Sequence, residues 1–206
     1  MIQQILNQDW RMGRTGNAVW PAVVPGTVYT DLLRNGQMED PFWKDNEIKA
    51  LELMEADYEY VCSFVCEEAL LSQERIFLHF DGLDTIADVF LNGEHLGDAF
   101  NMHRIWEYDI REKVKPAENE LRVVLHSPNK YIREAFRECR TLGNDDTLEG
   151  FVHIRKAHYM FGWDWGAHLP DAGIFRPVIL LGIQKACLDS VYLPQEHREG
   201  YVLLKP

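Results

Sequence analysis

Apolar and polar side chains alternate with a period of two through much of the chain, which is the pattern of strands that bury one face. One face of the clearest example consists of Tyr58, Tyr60, Cys62, Phe64 and Cys66. Further strands are predicted over 75–80, 85–91, 120–126, 175–183 and 188–193. Short strands separated by turn signals at this spacing predict an all-β fold, an antiparallel β-sandwich, rather than a parallel α/β fold.

A tight hairpin is predicted at Asn92-Gly93, directly after a strand that carries Ala87, Val89 and Leu91 on one face. Both central residues of a type I′ turn need a positive φ, and the Asn-Gly pair is the strongest short signal for such a turn. The strands on either side of this pair should therefore lie next to each other.

Two short helices are predicted to interrupt the strands. The first runs over 27–34 and ends at Asn35-Gly36, a usual left-handed stop. In the second, Ser127 can cap the amino end and Pro128 fits the first helical position. An apolar stripe at helical spacing continues this helix to an end near Gly143. The stripe consists of Tyr131, Ile132, Ala135, Phe136 and Cys139.

The chain is predicted to hold one domain over 1–185, followed over 186–206 by a closing strand and the start of a linker. Residues 196–200 have the composition of a turn or linker, and 201–204 begin a strand that the chain does not finish. We expect the chain to stop just inside a following domain.

Charge and composition narrow the classes of ligand. Asp and Glu total 33 against 21 for Lys and Arg, a formal net charge of -12. Such an acidic surface repels phosphate backbones and anionic lipid, so nucleic acid and membrane surfaces are not expected partners. Neutral ligands meet no such repulsion, and six Trp suit carbohydrate. Nucleotide and dinucleotide fingerprints are missing from the sequence, and no cofactor is predicted.

The four cysteines give no metal-binding pattern. Cys62 and Cys66 share one strand face and are predicted to be buried thiols, whereas a zinc site would need a tighter pair and a second pair. No metal site is therefore predicted. The amino terminus lacks a signal-peptide core, and no apolar run approaches the roughly 20 residues of a membrane span. Free thiols then favour the cytoplasm, or the periplasm or lysosome if a signal was removed.

One segment, 161–166, has candidate binding chemistry: Trp163 and Trp165 flank Asp164, and glycines enclose the group. Those glycines allow backbone turns that would direct the side chains outward. A carboxylate accepts hydrogen bonds from sugar hydroxyls, while an indole covers the apolar face of a sugar ring. The alternative is a loop whose indoles plug the end of the sandwich and whose Asp164 caps a turn. The residue pattern leaves both open.

Several stretches of the chain carry a family resemblance, and they run nearly from end to end. They include Gly-Leu-Asp-Thr at 82–85, Leu-Asn-Gly at 91–93, Gly-Trp-Asp-Trp-Gly at 162–166 and Gly-Ile-Phe-Arg at 173–176. Three of these resemble pieces found across the β-galactosidase, β-glucuronidase and β-mannosidase members of glycoside hydrolase family 2. The Gly-Trp-Asp-Trp-Gly piece is more specific and resembles β-mannosidases.

This resemblance implies a jelly-roll-like sandwich of the galactose-binding-domain-like type, followed by an immunoglobulin-like domain and a (β/α)₈ barrel. The barrel would carry the two catalytic glutamates, so no residue of this chain is expected to be catalytic. The resemblance further implies that Trp163 walls the sugar pocket, that Trp165 packs behind or beside it, and that Asp164 accepts hydrogen bonds from the terminal mannose. Arg155 would pair with Asp164 or face the ligand. Relatives commonly have proline where this chain has Ala167, which would make this loop less rigid.

The expected function is that of the N-terminal substrate-binding domain of an exo-acting, retaining β-mannosidase, which hydrolyses terminal non-reducing β-D-mannose. Its expected partners are the terminal β-mannoside and the remainder of its own chain. Two alternatives stay open: a stand-alone carbohydrate-binding module, and a domain of a β-galactosidase or β-glucuronidase relative. The segment 162–166 argues against the second of these.

Overall fold

The computed structural model describes residues 1–205, and Pro206, the last residue of the predicted linker segment, lies outside the described residues. The strands of the described part are β1 (Ile2–Ile5), β2 (Trp10–Arg14), β3 (Trp20–Pro21), β4 (Tyr58–Val65), β5 (Arg75–Phe80), β6 (Ile86–Leu91), β7 (Glu94–Phe100), β8 (Trp106–Asp109), β9 (Glu118–Leu125), β10 (Phe161–Trp163), β11 (Gly166–His168), β12 (Val178–Ile183), β13 (Gln195–Arg198) and β14 (Tyr201–Leu204). The α-helices are α1 (Val28–Arg34), α2 (Asn46–Leu53), α3 (Glu68–Leu71) and α4 (Pro128–Glu138), and single 3₁₀ turns lie at Phe151–His153 and His158–Met160.

Two antiparallel sheets face each other across one core. The larger has the strand order β3-β2-β4-β9-β6-β7 and the smaller the order β1-β12-β5-β8. Tyr60, Val89 and Val123 of the larger sheet join Leu78 and Leu180 of the smaller one in a single buried cluster. The predicted all-β antiparallel sandwich is therefore confirmed.

The period-two alternation gives the correct buried face in the central strands. In β4 the side chains of Tyr58, Tyr60, Cys62 and Phe64 are buried. The predicted hairpin at Asn92-Gly93 joins β6 to β7, with φ of 53° and 81° at its two residues. The Asn92 side chain also accepts a hydrogen bond from the Glu120 N–H at 3.1 Å, which fixes the turn against β9.

The prediction of two helices is correct in place but wrong in number, because residues 1–205 form four. α4 begins with Ser127 as its capping residue, as predicted. α1 begins one residue later than predicted, because Thr27 caps the helix instead of forming its first turn. The missed α2 lacks a side-chain cap and leaves Ile48 exposed, so no apolar stripe marks it. Contacts far along the chain hold it instead: for example, the Tyr29 hydroxyl donates to the carbonyl of Ala50 at 2.8 Å. The missed α3 is a single turn of four residues.

The predicted end of α4 near Gly143 is wrong, since the helix ends at Glu138 and Cys139 is extended. The apolar stripe misled because only part of it packs against the sandwich. Ile132 is buried, whereas Tyr131 is exposed and Cys139 lies on the surface.

The carboxyl-terminal segment differs from its prediction in two places. Residues 188–193 form no strand, and Leu188 and Tyr192 are exposed without a neighbouring strand to pair with. Residues 195–198, of which 196–198 were predicted as turn or linker, form β13, which pairs with β14 in the register Gln195↔Leu204. Glu199 and Gly200 make the turn between them.

Two further findings concern the cysteines and the helices. Cys62 and Cys66 are buried free thiols, as predicted, and Cys139 and Cys187 are exposed free thiols. Across residues 1–205, none of the helices has the length and apolar character needed to cross a membrane.

Candidate functional site

A short two-stranded hairpin presents the Trp-Asp-Trp segment. β10 pairs with β11 in the register Phe161↔His168 and Trp163↔Gly166, so Asp164 and Trp165 form the turn. The base of the hairpin is anchored by Phe161, which is fully buried in a small cluster with Ile132 and Ile154. The hairpin therefore projects from the sandwich with its turn outward.

The side chains at the tip are open to solvent. Trp163 is 41% exposed and Trp165 81% exposed, and their ring centroids lie 5.5 Å apart with planes inclined at 52°. Asp164 is exposed, and within residues 1–205 its carboxylate makes no hydrogen bond. Trp165 therefore does not plug the sandwich, and the Asp164 side chain caps no turn in the described part of the chain.

His168 fixes the base of the hairpin to α2. Its backbone N–H donates to Glu47 Oε1 at 2.8 Å, and its ring Nδ1 lies 2.6 Å from the same oxygen. Ring Nε2 lies 3.2 Å from the carbonyl oxygen of Asp146, in the loop that precedes the hairpin. The ring covers Gly162, which has φ of 95° and where a Cβ atom would come within 2.3 Å of ring Cδ2.

An apolar cleft of about 830 Å³ lies beside the hairpin. Both indoles contribute to its wall, together with Phe42, Tyr159 and Leu169. Asp171 adds a carboxylate to this lining. Asp164 and Arg155 are not part of the cleft lining among residues 1–205. The indoles thus face the cleft, whereas the carboxylate of the turn lies outside it.

Asp171 ties the cleft to the amino end of α1. Its Oδ1 accepts hydrogen bonds from the N–H of Tyr29 at 3.0 Å and from the N–H of Ala172 at 2.8 Å. Burial raises the pKa of Asp171 to about 6, although these hydrogen bonds and the Thr27 side chain act in the opposite direction. This carboxyl group therefore titrates far above the usual range for an Asp.

Arg155 lies on the segment that leads toward the hairpin. It forms a parallel bridge with Asn101, and its carbonyl accepts from the Met102 N–H at 3.0 Å. Its side chain is exposed and, within the described residues, forms no ion pair. Trp163, Asp164 and Trp165 are thus brought together on one hairpin, and no hydrogen bond within residues 1–205 joins Arg155 to Asp164. The role of Arg155 in ligand binding stays a prediction.

Other histidines and carboxylates have structural partners. His126 bridges Asp57 and Asp88 at 3.2 and 3.0 Å. Burial alone would lower the pKa of His126, but these two carboxylates raise it above its usual value.

Within residues 1–205, Asp88, His95 and Asp98 bring potential metal-ligand atoms within 4.8 Å of one another. Exposed carboxylates often group in this way without an ion, so we assign this group no metal.

The sequence did not identify the cleft residues Phe42, Tyr159 and Asp171, nor the link between Glu47 and His168. Phe42 lies in the charged stretch 39–45, and because single apolar residues are normal on protein surfaces, its position carries no specific signal. Asp171 and the Glu47–His168 link have no local signal, because their partners are distant in sequence.

Comparisons with known proteins give concordant results. The family profile described as "Glycosyl hydrolase 2 galactose-binding domain-like" matches residues 10–176. The "Beta-mannosidase" of Mus musculus is 30% identical over 92% of this chain and 22% of its own length. The "Beta-mannosidase B" of Emericella nidulans is 32% identical over 97% of this chain and 25% of its own length.

A solved structure extends the likeness to the backbone. The β-D-mannosidase from Dictyoglomus thermophilum superposes with a TM-score of 0.89 at 35% identity, over 96% of this chain and 24% of that one. The chain thus spans about a quarter of the length of the relatives it matches.

Proposed function

Because the chain belongs to the glycosyl hydrolase 2 galactose-binding domain-like family, we propose that it is the N-terminal substrate-binding domain of an exo-acting, retaining β-mannosidase. The observation that carries the proposal is the exposed hairpin, on which Asp164 lies between two indoles. In this proposal the hairpin lines the site that binds the terminal non-reducing β-D-mannose.

The chemistry of the hairpin suits a sugar. The Asp164 carboxylate has its acceptor capacity free within residues 1–205, and hydrogen bonds from hydroxyls to a carboxylate are each worth about 1.5–3 kcal/mol. An exposed indole offers a flat apolar face that matches the C–H face of a pyranose. Arg155 is proposed as a further polar contact, reached when the ligand or the rest of the protein is in place.

Hydrolysis with retention requires two carboxyl groups about 5–5.5 Å apart, on either side of the bond that is cleaved. We assign that pair to a (β/α)₈ barrel in the remainder of the parent protein, because the relatives are about four times longer than this chain. The proposed partners are therefore a terminal β-mannoside and the rest of the same polypeptide.

The hairpin β13–β14 supports a domain boundary near residue 185. A two-stranded hairpin on its own is marginally stable in water, and Tyr201, Val202, Leu203 and Leu204 are all exposed. We propose that residues 186–206 lead into an immunoglobulin-like domain that covers these side chains. The four free thiols favour a reducing compartment, and the cytoplasm is the proposed location.

The experiment compares turnover of an aryl β-D-mannoside by the 206-residue chain and by the parent protein. We expect steady release of the aryl group by the parent protein alone. Trp165→Ala in the parent should lower kcat/KM about 2- to 10-fold, since an aromatic contact is worth about 0.5–1.5 kcal/mol. Trp43→Ala removes another exposed indole, outside the cleft lining, and serves as the matched control.

Three outcomes would contradict the proposal. Release of the aryl group by the pure 206-residue chain would show that the catalytic pair lies within it. A parent protein that prefers aryl β-D-glucosides or galactosides would place the chain in another branch of the family. Binding of mannose by the chain, without any hydrolytic parent, would instead favour a stand-alone binding module.

A further inference from the structure

The indole-bearing hairpin has little structure of its own to hold it in place. Each of its strands has three residues, and the ladder between them consists of the pairs Phe161↔His168 and Trp163↔Gly166. Beyond Phe161 and Gly162, which are buried, residues 163–166 of the hairpin are exposed to solvent. An isolated hairpin of this length is not stable in water, so contacts at its base must fix its direction.

We propose that Glu47 and His168 are positioning residues, which together fix the direction of the hairpin and thereby the place of Trp163 and Trp165. Glu47 Oε1 accepts a hydrogen bond from the backbone N–H of His168 at 2.8 Å. The ring Nδ1 of His168 lies 2.6 Å from the same oxygen. Hydrogen bonds to a carboxylate are short and about twice as strong as those between neutral groups. The effect of this clamp on catalysis rests on the proposed function, whereas its effect on the hairpin does not.

The His168 ring transmits the clamp to both strands. It lies against the Cα atom of Gly162 on the opposite strand, where any larger residue would collide with the ring. Its Nε2 lies 3.2 Å from the Asp146 carbonyl oxygen. The same loop is joined to the hairpin by the Leu148 N–H, which donates to the Phe161 carbonyl at 3.0 Å. One ring thus connects α2, the preceding loop and both strands of the hairpin.

Glu47 is well placed for this role. It is the second residue of α2, and a carboxylate in the first turn of a helix is stabilised by the helix dipole. The rest of α2 is anchored to the sandwich, through bonds such as that from the Tyr58 hydroxyl of β4 to the Leu53 carbonyl at 3.1 Å. The contact between Glu47 and His168 therefore attaches the hairpin to a fixed part of the fold.

A small rotation at the clamp would matter at the tip. Trp165 lies three residues from His168, and at about 3.3 Å per residue the tip is roughly 10 Å away. A pivot of about 10° would then move the indole by roughly 2 Å. Functional groups need to be held to about 0.5 Å, and a displacement of 1 Å can lower the rate about 100-fold.

The test uses the exciton couplet that two adjacent indoles produce in the far-ultraviolet circular dichroism of the 206-residue chain. Subtracting the spectrum of Trp165→Ala from that of the unmodified chain isolates the signal of the indole pair. Glu47→Ala and His168→Ala should each reduce this difference signal by more than half. Glu47→Gln keeps an acceptor oxygen and should retain most of it.

Glu52→Ala removes an exposed acidic side chain from the same helix and is the matched control, which should leave the signal unchanged. Thermal midpoints of all variants show that the sandwich remains folded. The proposal is overturned if the signal in Glu47→Ala and His168→Ala equals that in Glu52→Ala. It is also overturned if the spectrum of Trp165→Ala equals that of the unmodified chain, because the two indoles would then not be held in one geometry.

Kinetics in the parent protein separate this proposal from the proposed function. With both correct, Glu47→Ala lowers kcat/KM toward an aryl β-D-mannoside about 10- to 100-fold. This loss exceeds that of Trp165→Ala because a pivot of the hairpin displaces Asp164 together with both indoles. Glu47→Gln recovers most of the loss. If Glu47→Ala loses the indole signal but keeps its kinetics, the role of the hairpin in substrate binding is refuted. The proposal that Glu47 and His168 position the hairpin would still stand.

Discussion

The buried ion pair between Lys156 and Asp84 should make the removal of either partner alone strongly destabilising. The two side chains are 0% and 2% exposed, and the ammonium group hydrogen-bonds to the Asp84 carboxylate. Burial lowers the pKa of Lys156, while the charge of Asp84 acts to raise it. Lys156→Met would remove the cation and leave the carboxylate buried without a counter-ion, with the Thr85 hydroxyl as a remaining hydrogen-bond donor.

Breaking a buried pair by removing one partner costs about 3–5 kcal/mol. In a domain of this size each kcal/mol lowers Tm by about 2–4 °C, so we expect a decrease of roughly 6–20 °C. Thermal and urea unfolding of the 206-residue chain, followed by circular dichroism, measure the change. The matched control is Lys49→Met, which breaks an exposed pair whose side chains are 64% and 68% exposed and which should leave Tm nearly unchanged.

The double variant Asp84→Asn/Lys156→Met distinguishes a charge effect from a packing effect. Because it leaves no buried charge, it should be more stable than Lys156→Met alone. The reasoning is refuted if Lys156→Met costs less than about 1 kcal/mol, or if the double variant is no more stable than the single one.

The remaining stability predictions concern Gly162 and Asp171. Gly162→Ala should lower the free energy of unfolding by at least about 2 kcal/mol, since positive φ and the His168 ring both oppose a Cβ. Gly16→Ala, at φ of 85° in open space, should cost about 1 kcal/mol, and equal losses in thermal melts would contradict the clash. The pKa of Asp171 is raised to about 6 in the fold, above the value near 3.9 of an unfolded chain. Its contribution is therefore complete below about pH 4 and is lost as the pH rises through about 6. Asp171→Asn should flatten this part of the curve of unfolding free energy against pH, and an unchanged slope would contradict the assignment.

Most of the sandwich could be predicted because its central strands are buried on one face. The alternation in β4 and the Asn92-Gly93 turn each carry their structure locally, in neighbouring residues. α2 could not be predicted in this way, because Ile48 is exposed and leaves no apolar stripe on the helix. Carbonyl groups of α2 are instead bound by side chains that are distant in the sequence, such as that of Tyr29. The prediction of a strand over 188–193 was wrong for a different reason. The composition of this segment favours a strand, but no sheet edge pairs with it in the described residues.

The candidate site likewise has a part that could be predicted from adjacent residues and a part that could not. The sequence indicates Trp163, Asp164 and Trp165 because their chemistry is concentrated in adjacent positions. The Glu47–His168 clamp joins residues 121 positions apart, and only the folded chain brings them together. What can be predicted is therefore the group that would meet a ligand, and what cannot is the support that holds it.

The most direct test of the account is kcat/KM of the parent protein toward an aryl β-D-mannoside, measured for Asp164→Ala and for the control Asp145→Ala. Asp145 is an exposed acidic residue in the loop before the hairpin and matches the change in charge. Loss of hydrogen bonds to a carboxylate, worth about 1.5–3 kcal/mol, predicts a decrease of about 10- to 150-fold for Asp164→Ala and none for Asp145→Ala. Equal activity of the two variants would contradict the claim that this hairpin binds the sugar.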